Sequence, residues 1–562
     1  MRTDWPSWSR WSGGVALGAV VLLGSACDRE PLGEPNPRVR EVIGEAESPV
    51  LELRGGDTLH LSKPVAEFYR GRGYRQAWTD YDEVLDRGIA LLEAMGRSSE
   101  DGFDPEEYRH PLATKMLMEV EEDSLEEREE PGQMGEVDLV LSEVFARYAK
   151  HLAGGALDPE AAGLDWQIPK AEPDVKALLT QLVEGTAPEA LVDSLRPTAP
   201  EYGRMMAGLA RYHEVARAGG WASVPEGKLP EIGGSSPIVA ALRQRLIAER
   251  DPVEAAAAQR GQARPDVFDE DLKQALVHFQ ERHGLDADGA LGKLTLVELN
   301  APVEERIADL KLNLDRWRWL PRELGDLYVM VNVAGFELEV VENDSVLLAM
   351  HVVVGKDAWR TPIFRDTMEH IVVNPYWNVP STIEKDEVIP AVLRDPSYLE
   401  RNNFEVLRGD RVVSAGEIDW SAVTGGGSPY RFRQKPGSAN ALGEVKFLFP
   451  NADDIYLHDT PSTHLFTQSS RAFSHGCIRV EKPVELAKLI LAKATERSPD
   501  EYEQLRARTG EQWVKLTRPV PVYIVYFTAY AHSDGSVSFH PDIYERDQRL
   551  EQQAQDRPPR AT

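Results

Sequence analysis

The hydrophobic pattern changes its period once along this chain, near residue 320, and that change separates two kinds of structure. Before it, apolar residues recur three or four positions apart, as at Ile307, Leu310 and Leu314, which is the spacing of an amphipathic helix. Beyond it, apolar and acidic residues alternate in residues 336–340, which is the spacing of a half-buried strand. The pattern predicts a multidomain α+β protein with a helical first part and a β-sandwich or barrel in the last part.

The first residues have the pattern of an export signal. Two arginines precede an apolar run over residues 15–23, which is short for a membrane span and ends in small residues. Cleavage before Cys27 would leave that thiol for lipid attachment, whereas cleavage after Ala26 would follow the small-x-small rule that Gly24 and Ala26 satisfy; an uncleaved anchor is a third option. Residues 1–27 are therefore predicted to be a signal peptide, which indicates an exported protein of the periplasm or cell envelope.

Export makes the second cysteine informative. Thiols that can pair become disulfides in an oxidising envelope, and Cys27 would be lipid-modified or at the end of a flexible segment, 450 residues from Cys477. Cys477 stands in Ser474-His475-Gly476-Cys477-Ile478-Arg479, beside groups that can act as a base or as a charge partner. An unpaired exported thiol in this setting indicates a nucleophile, whereas a buried, inert cysteine is the alternative. A thiolate nucleophile requires a nearby base or cation to lower its pKa.

The cysteine segment and a second segment upstream carry a family resemblance. His458, in Tyr456-Leu457-His458-Asp459, precedes Cys477 by nineteen positions, and Cys477 lies within Ser-His-Gly-Cys. This arrangement resembles the L,D-transpeptidase (YkuD-type) catalytic domain. Cys477-Ile478-Arg479 departs from the Cys-hydrophobic-Asn of smaller members and is similar to the large, multidomain, YcbB-like branch.

The resemblance implies roles for the residues of both segments. Cys477 would attack an amide carbonyl and form a thioester. Sequence physics leaves the base open between His475, which would share a face with Cys477 on an extended strand, and His458 from a neighbouring strand; the resemblance assigns it to His458. Backbone N–H groups of Gly476 and Cys477 would stabilise the oxyanion. The remaining candidates for substrate binding are Arg479, whose alternative is an ion pair with Asp459 or Glu481, and Tyr456, Trp377, Asn374 and Ser474.

The length of 562 residues is enough for about three or four domains. Proline and glutamate are frequent in residues 28–60, which predicts a flexible linker. The boundaries predicted for the rest are a helical scaffold domain over 61–230, a small three-helix peptidoglycan-binding domain over 236–300, a linking helix over 301–325, a mainly β catalytic domain over 326–545 with a capping subdomain at 380–440, and a polar tail over 546–562.

The small helical domain is predicted from two apolar stripes and a closing segment. The sequence from Phe279 through Gly292 resembles that of the peptidoglycan-binding domain. The alanine-rich residues 253–263 depart from the short connection that is usual in this domain. His278 and His283 are five residues apart on a helix and point in different directions, so they are predicted to be structural or solvated rather than metal ligands.

The resemblance implies an enzyme that acts on peptidoglycan stem peptides. A donor tetrapeptide would lose its terminal D-Ala, and the stem held on Cys477 would pass to a diaminopimelate amine of the acceptor, which joins two third-position residues; carbapenems would acylate the same thiol. No metal or organic cofactor is called for. Hydrolysis or lipoprotein anchoring at the same site, and a non-catalytic wall-binding scaffold, are the alternatives. A formal charge of −30 argues against binding of the bulk of the protein to nucleic acid or to an anionic membrane surface. The N-terminus is then the candidate membrane tether.

Overall fold

A computed structural model of the chain describes residues 33–53, 58–80, 83–108, 113–115, 131–420, 423 and 429–555. The predicted signal peptide with Cys27 lies outside these residues. Within them, no helix combines the length and the apolar character needed to cross a membrane.

The scaffold domain is a helical unit with its own apolar core. A 24-residue helix, α4, runs through it, and the shorter helices pack around that helix. The helices are α1 (Pro37–Ile43), α2 (Lys63–Gly71), α3 (Asp86–Gly96), α4 (Pro131–Gly154), α5 (Val175–Val183), α6 (Pro188–Leu195) and α7 (Pro200–Arg217), and a two-stranded sheet joins β1 (Val50–Glu52) to β2 (Thr58–His60).

The prediction of a flexible linker over residues 28–60 is wrong for the part that the structure describes. Val39 and Ile43 of α1 and Leu51 of β1 have no exposed surface and belong to the scaffold core. The Asn36 side chain caps α1 by accepting from the backbone N–H groups of Arg38 and Val39. The segment is too short for a visible period, so its few apolar residues gave no signal until tertiary packing buried them.

The peptidoglycan-binding region contains one helix more than predicted. Its helices are α8 (Pro237–Ala248), α9 (Pro252–Arg260), α10 (Glu270–Arg282) and α11 (Lys293–Asn300), around a compact apolar core. The alanine-rich stretch forms α9, where Asp251 caps the helix and Ala258 is fully buried. Alanine favours a helix and lets it approach its neighbours closely, which explains an extra helix where a short connection was expected.

Helix α12 (Val303–Arg318) connects this region to the β domain and is buried along most of its length. It packs against α7 and against the core of the catalytic domain. The Arg318 guanidinium donates to the hydroxyl of Tyr202 and to Asp315. The predicted linking helix therefore packs against both the scaffold domain and the predicted catalytic domain.

Eight strands of the catalytic domain form a closed ring. The order is β5-β14-β12-β11-β6-β15-β3-β4, and β4 pairs back with β5, while β13 flanks β5 as a ninth strand. The strands are β3 (Leu327–Asn332), β4 (Glu337–Glu342), β5 (Ser345–Gly355), β6 (Phe364–Val373), β11 (Val445–Leu448), β12 (Leu457–His458), β13 (Ala472–Ser474), β14 (Ile478–Val480) and β15 (Gln512–Val525). Closure of the ring removes the unpaired sheet edges. The sequence predicted a sandwich or a barrel, and the barrel is confirmed.

The capping subdomain lies between β6 and β11 and has its own core. A four-stranded sheet in the order β7-β10-β8-β9 packs with three short helices. These elements are β7 (Trp377–Asn378), α13 (Ser381–Ile383), a π-helical turn (Glu384–Val388), α14 (Ile389–Arg394), α15 (Tyr398–Arg401), β8 (Phe404–Arg408), β9 (Arg411–Val413) and β10 (Tyr430–Gln434).

The last residues contradict the predicted polar tail over 546–562 as far as the structure describes them. Helix α18 (Arg546–Gln555) buries Leu550 completely, and its Arg546 side chain pairs with Asp165 at 2.5 Å. A single apolar residue in a polar helix gives no period, although its burial joins the tail to the scaffold. The remaining elements are α16 (Pro483–Ala494), α17 (Glu501–Arg506), β16 (Ala529–Ala531) and β17 (Val537–Phe539).

Candidate active site

The segment that contains Cys477 crosses the end of β5. Strand β13 pairs with β5 in parallel on one side, and β14 pairs with β5 antiparallel on the other, so residues 475–477 form the crossing. Gly476 has φ +111°, a conformation that side chains disfavour, and an added Cβ would lie 3.2 Å from Ile455 Cδ1. Glycine is therefore required for the chain to reverse here and to present Cys477 at the start of β14.

Hydrogen bonds inside the crossing use one of the two predicted oxyanion donors. The Gly476 N–H donates to Ser474 Oγ at 3.1 Å, and the Ser474 hydroxyl donates to the Cys477 carbonyl at 2.6 Å. Ser474 is buried and closes the loop, so the expectation that it binds substrate is replaced by a loop-forming role. The Cys477 N–H has no hydrogen-bond acceptor among the described residues. That N–H, unlike the one of Gly476, is available to an oxyanion.

His458 is brought beside the cysteine segment by the parallel pairing of β12 with β14. Its Cα partner is Arg479, two residues after Cys477, so the two side chains leave the sheet on the same face. His458 Nδ1 lies 2.5 Å from the carbonyl oxygen of Asp459. A carbonyl oxygen only accepts, so Nδ1 carries the proton and Nε2 is the basic nitrogen.

Burial sets the charge state of both residues. The buried position of His458, together with the positive Arg479, lowers the pKa of the imidazole to about 3. Burial raises the pKa of the Cys477 thiol to about 11, against the smaller lowering effect of hydrogen bonds from Tyr456. Desolvation outweighs the nearby cation, so burial disfavours the thiolate form that attacks a carbonyl. Both shifts favour the neutral forms, a thiol and an imidazole, and the Cys477 sulfur lies 3.7 Å from the Asp454 carbonyl oxygen.

The raised thiol pKa predicts the pH dependence of alkylation in the free protein. At pH 7 about one Cys477 in ten thousand would be a thiolate, because the pKa lies about four units higher. We expect iodoacetamide to modify Cys477 slowly at pH 7 and about tenfold faster with each pH unit up to pH 10, measured by mass spectrometry of the Cys477 peptide. A rate that levels off below pH 8 would contradict this charge state.

His475 lies away from the reacting face. The argument that it shares a face with Cys477 requires an extended strand, and the positive φ of Gly476 interrupts that strand. His475 Nε2 lies 2.9 Å from the Glu387 carboxylate of the π-helical turn, and its ring packs edge-on against Trp359 at 5.4 Å between centroids. His475 therefore joins the cysteine loop to the capping subdomain.

Arg479 is positioned without a structural ion pair. The two alternative partners are used elsewhere, since Asp459 accepts from the Glu444 and Thr460 N–H groups and Glu481 accepts from the His351 N–H. The buried Arg479 Nε has no hydrogen-bond partner among the described residues. A guanidinium held in this way, at the Cα position opposite His458, is available to a carboxylate ligand.

The other predicted binding residues differ in their surroundings. Tyr456 lies against the site, with its ring 5.6 Å from the His458 ring. Trp377 packs in the core of the capping subdomain, near Phe404. The Asn374 amide donates to the carbonyl groups of Arg506 and Arg508 in a turn with φ +53°, which is a structural role. The structure thus brings Tyr456 to the site, places Trp377 against the core of the cap and ties Asn374 to the segment around Arg506.

Sequence reasoning missed residues that hold the loop from a distance. Thr361 Oγ1 donates to the Gly476 carbonyl at 2.7 Å and accepts from the Gly355 N–H at 2.9 Å, which ties the crossing to the end of β5. Glu387 reaches His475 from the cap. Neither residue has a local signal, because each is brought in from more than 80 positions away in the sequence.

One group of side chains elsewhere has the composition of a metal site. Single ligand atoms of Asp251, Glu254 and His278 lie within 4.8 Å of one another. The Arg282 guanidinium already donates to both Glu254 oxygens, at 2.5 and 2.9 Å, and to Glu249 at 2.7 Å. A cation thus neutralises these carboxylates, and the hydrogen bond to Glu254 raises the pKa of His278, which favours its protonated form.

Three domain families match this chain. Residues 326–522 match the L,D-transpeptidase catalytic domain, residues 63–209 match the scaffold domain, and residues 235–299 match a family described as "Putative peptidoglycan binding domain". The catalytic match includes Cys477, His458, Arg479 and the capping subdomain.

A curated relative and solved structures carry the same catalytic family name. A protein of Haemophilus influenzae named "Putative L,D-transpeptidase" is 34% identical over 247 residues, which is 43% of this chain and 48% of the relative. The chain thus spans about half the length of the curated relative it matches.

An L,D-transpeptidase structure from Mycobacterium smegmatis is 14% identical, with a TM-score of 0.18 over 36% of this chain and 58% of that chain. One from Xylanimonas cellulosilytica is 16% identical, with a TM-score of 0.17 over 54% and 99%. Likenesses of this size carry no information about activity. The family assignment comes from the domain matches: this chain carries a YkuD-type L,D-transpeptidase catalytic domain together with a scaffold domain and a peptidoglycan-binding domain.

Proposed function

We propose that the chain is a cysteine acyltransferase that cross-links peptidoglycan stem peptides between third-position diaminopimelate residues. One observation carries the proposal: His458 and Arg479 are direct partners on one face of the sheet, beside a thiol whose own backbone N–H is unused. Three residues thus supply the four groups that the reaction needs: a nucleophile and an oxyanion donor from Cys477, a base from His458 and a carboxylate-binding cation from Arg479. The matches to a catalytic and a peptidoglycan-binding family support an activity at the cell wall, in the periplasm or cell envelope.

The first half of the reaction forms a thioester. The Cys477 sulfur attacks the carbonyl carbon of the amide before the terminal D-Ala, while His458 Nε2 takes the thiol proton. The Cys477 N–H donates to the oxyanion, a contact that typically lowers the barrier by about 2.7–4 kcal/mol. The C–N bond then breaks, the imidazolium returns its proton to the leaving amine, and D-Ala departs.

The second half transfers the stem to an amine. The side-chain amine of an acceptor diaminopimelate attacks the thioester carbonyl, and His458 Nε2 removes its proton. The C–S bond breaks, the sulfur regains a proton, and the product is an amide between two third-position residues. Carbapenems react in the same way in this proposal. The Cys477 sulfur attacks the strained β-lactam carbonyl, the ring opens, and a stable thioester remains on the protein.

Arg479 provides the contact for the substrate carboxylate. Its Nε is buried without a protein partner, and leaving such a donor unsatisfied costs about 1–3 kcal/mol, more for a charged group. A stem carboxylate would recover that cost by forming a bidentate pair. In this scheme the capping subdomain closes over the bound stem, and the His475–Glu387 contact joins it to the cysteine loop.

The proposal is tested with a purified disaccharide-tetrapeptide and mass spectrometry. A cross-linker yields a dimer that has lost one D-Ala, a carboxypeptidase yields the monomer without D-Ala, and a non-catalytic scaffold leaves the substrate unchanged. We expect the dimer, with its amide bond between two third-position residues in the fragment spectrum. Loss of D-Ala without any dimer over a range of substrate concentrations would contradict the transfer step, and no change would contradict the activity.

A further inference from the structure

A row of side chains continues across the sheet on the far side of His458 from Arg479. The register pairs His458 with Lys446, Lys446 with Val372, and Val372 with Trp513. Residues directly opposite each other on neighbouring strands project from the same face of a sheet. Lys446 and Trp513 therefore stand on the face that carries the catalytic histidine.

The burial of their neighbours confirms which face this is. Phe447, Ile371 and Val514, each one position along from a member of the row, are in the core inside the barrel. The row faces outward, where 56% of the Trp513 surface is exposed. Trp513 stands on the third strand from His458 along this row, and its ring packs edge-on against His370 at 5.7 Å between centroids.

Glu511 arranges the outer end of the row. Its Oε2 accepts from Trp513 Nε1 at 3.0 Å, and its Oε1 accepts from the backbone N–H of Tyr376, where the chain enters the capping subdomain, at 3.0 Å. Lys446 Nζ lies 3.6 Å from Glu511 Oε1 and 5.7 Å from the centre of the Trp513 ring. This Nζ is beyond normal hydrogen-bond distance of Glu511, and no described residue accepts a hydrogen bond from it. The ammonium is therefore held in a long ion pair with Glu511, and its remaining N–H donors have no acceptor among the described residues.

We propose that Lys446 and Trp513 form the acceptor subsite, in which Lys446 binds the carboxylate on the carbon that carries the attacking amine and Trp513 packs against the methylene chain. This inference rests on the proposed function, because an acceptor is needed only if the thioester is resolved by an amine. Glu511 is a positioning residue that holds the indole and the ammonium in place.

The size of the acceptor group fits the spacing of the row. The amine nitrogen and the carboxyl carbon of an amino-acid end are separated by two bonds of about 1.5 Å. Side chains of direct cross-strand partners begin about 4.5–5.5 Å apart, so one such group can reach His458 and Lys446 together. Arg479, on the opposite side of His458, remains free for the donor, and the two stems approach the thioester from different sides.

The subsite is tested by measuring acylation and transfer separately in the full chain. Acylation is followed as the covalent donor adduct in a single turnover, and transfer as the ratio of cross-linked to hydrolysed product with a tripeptide acceptor. A second acceptor carries a carboxamide in place of the carboxylate next to the amine. Lys446→Gln and Trp513→Ala are compared with Lys515→Gln, which removes an exposed lysine two positions from Trp513 on the same strand and face.

We expect acylation within about twofold of the unchanged protein in every variant. In Lys446→Gln, transfer to the carboxylate acceptor should fall about tenfold or more, the typical effect of losing a charged hydrogen bond, and the preference over the carboxamide should disappear. Trp513→Ala should lower transfer to both acceptors, and Trp513→Phe should restore part of it. Lys515→Gln should leave the ratio unchanged.

Two results would overturn the subsite. An unchanged transfer ratio in Lys446→Gln would exclude the carboxylate contact, and a parallel loss of acylation and transfer would assign Lys446 to the donor reaction or to stability. If the unchanged protein forms no donor adduct, the proposed function itself fails. If it forms the adduct and transfers the stem, only the outcome for the variants decides the subsite.

Discussion

The exchange of Cys477 for alanine is expected to abolish both release of D-Ala and formation of a covalent carbapenem adduct. In the proposed reaction the thioester forms on the Cys477 sulfur, and no other cysteine lies within the residues that the structure describes. Removal of a catalytic nucleophile typically lowers the rate by about 10⁶-fold, which is below detection in a product assay. Mass spectrometry of the intact protein and of the released amino acid measures both effects.

Cys27→Ala is the matched control for this variant, because it removes the other cysteine of the chain. Its acylation rate should equal that of the unchanged protein, and its thermal unfolding should match that of Cys477→Ala. A carbapenem adduct on Cys477→Ala would place the nucleophile elsewhere and overturn the site. Activity lost in Cys27→Ala would show that Cys27 contributes to the reaction.

The exchange of His458 for alanine is expected to lower acylation by about 10²–10⁴-fold and to change its dependence on pH. With His458 present the base is neutral above its pKa of about 3, so the rate should be flat between pH 5 and pH 9. Without it the attacking species is the thiolate, whose pKa is about 11. The rate of the variant should then rise about tenfold with each pH unit, as measured by single-turnover acylation.

His475→Ala is the matched control, since it removes the other histidine of the two motif segments. Its bond to Glu387 connects the loop to the cap, so it should lower acylation less than His458→Ala and leave the pH profile flat. If His475→Ala instead acquires the tenfold rise per pH unit and His458→Ala does not, the base is His475. A flat profile in both variants would contradict general-base activation by either ring.

The local sequence pattern was sufficient to predict the elements in which apolar residues recur at a regular spacing. The change of period near residue 320 predicted the helical half and the β half, because side chains alternate with a period of two in strands and about 3.6 in helices. The motif around Cys477 and the spacing to His458 resemble those of the L,D-transpeptidase catalytic domain, and residues 326–522 match that family.

Elements without a regular spacing of apolar residues could be recognised only in the folded structure. α1 and α18 were predicted as a linker and a tail, because a helix with one or two buried side chains shows no period. Val39 and Leu550 are buried by partners that are distant in sequence. The same reason applies to His475, whose partner Glu387 comes from an insertion 88 positions upstream.

The amino-acid sequence singled out the candidate reacting groups, which are the Cys477 sulfur, the His458 and His475 imidazoles and the Arg479 guanidinium. The protonation states of these groups depend on the folded structure. Desolvation raises the pKa of the thiol and lowers that of His458, and its strength depends on the atoms packed around each group. The pairing of β12 with β14 selected the histidine that accompanies the sulfur, because strand register is set by contacts across the barrel and is absent from the order of residues along the chain.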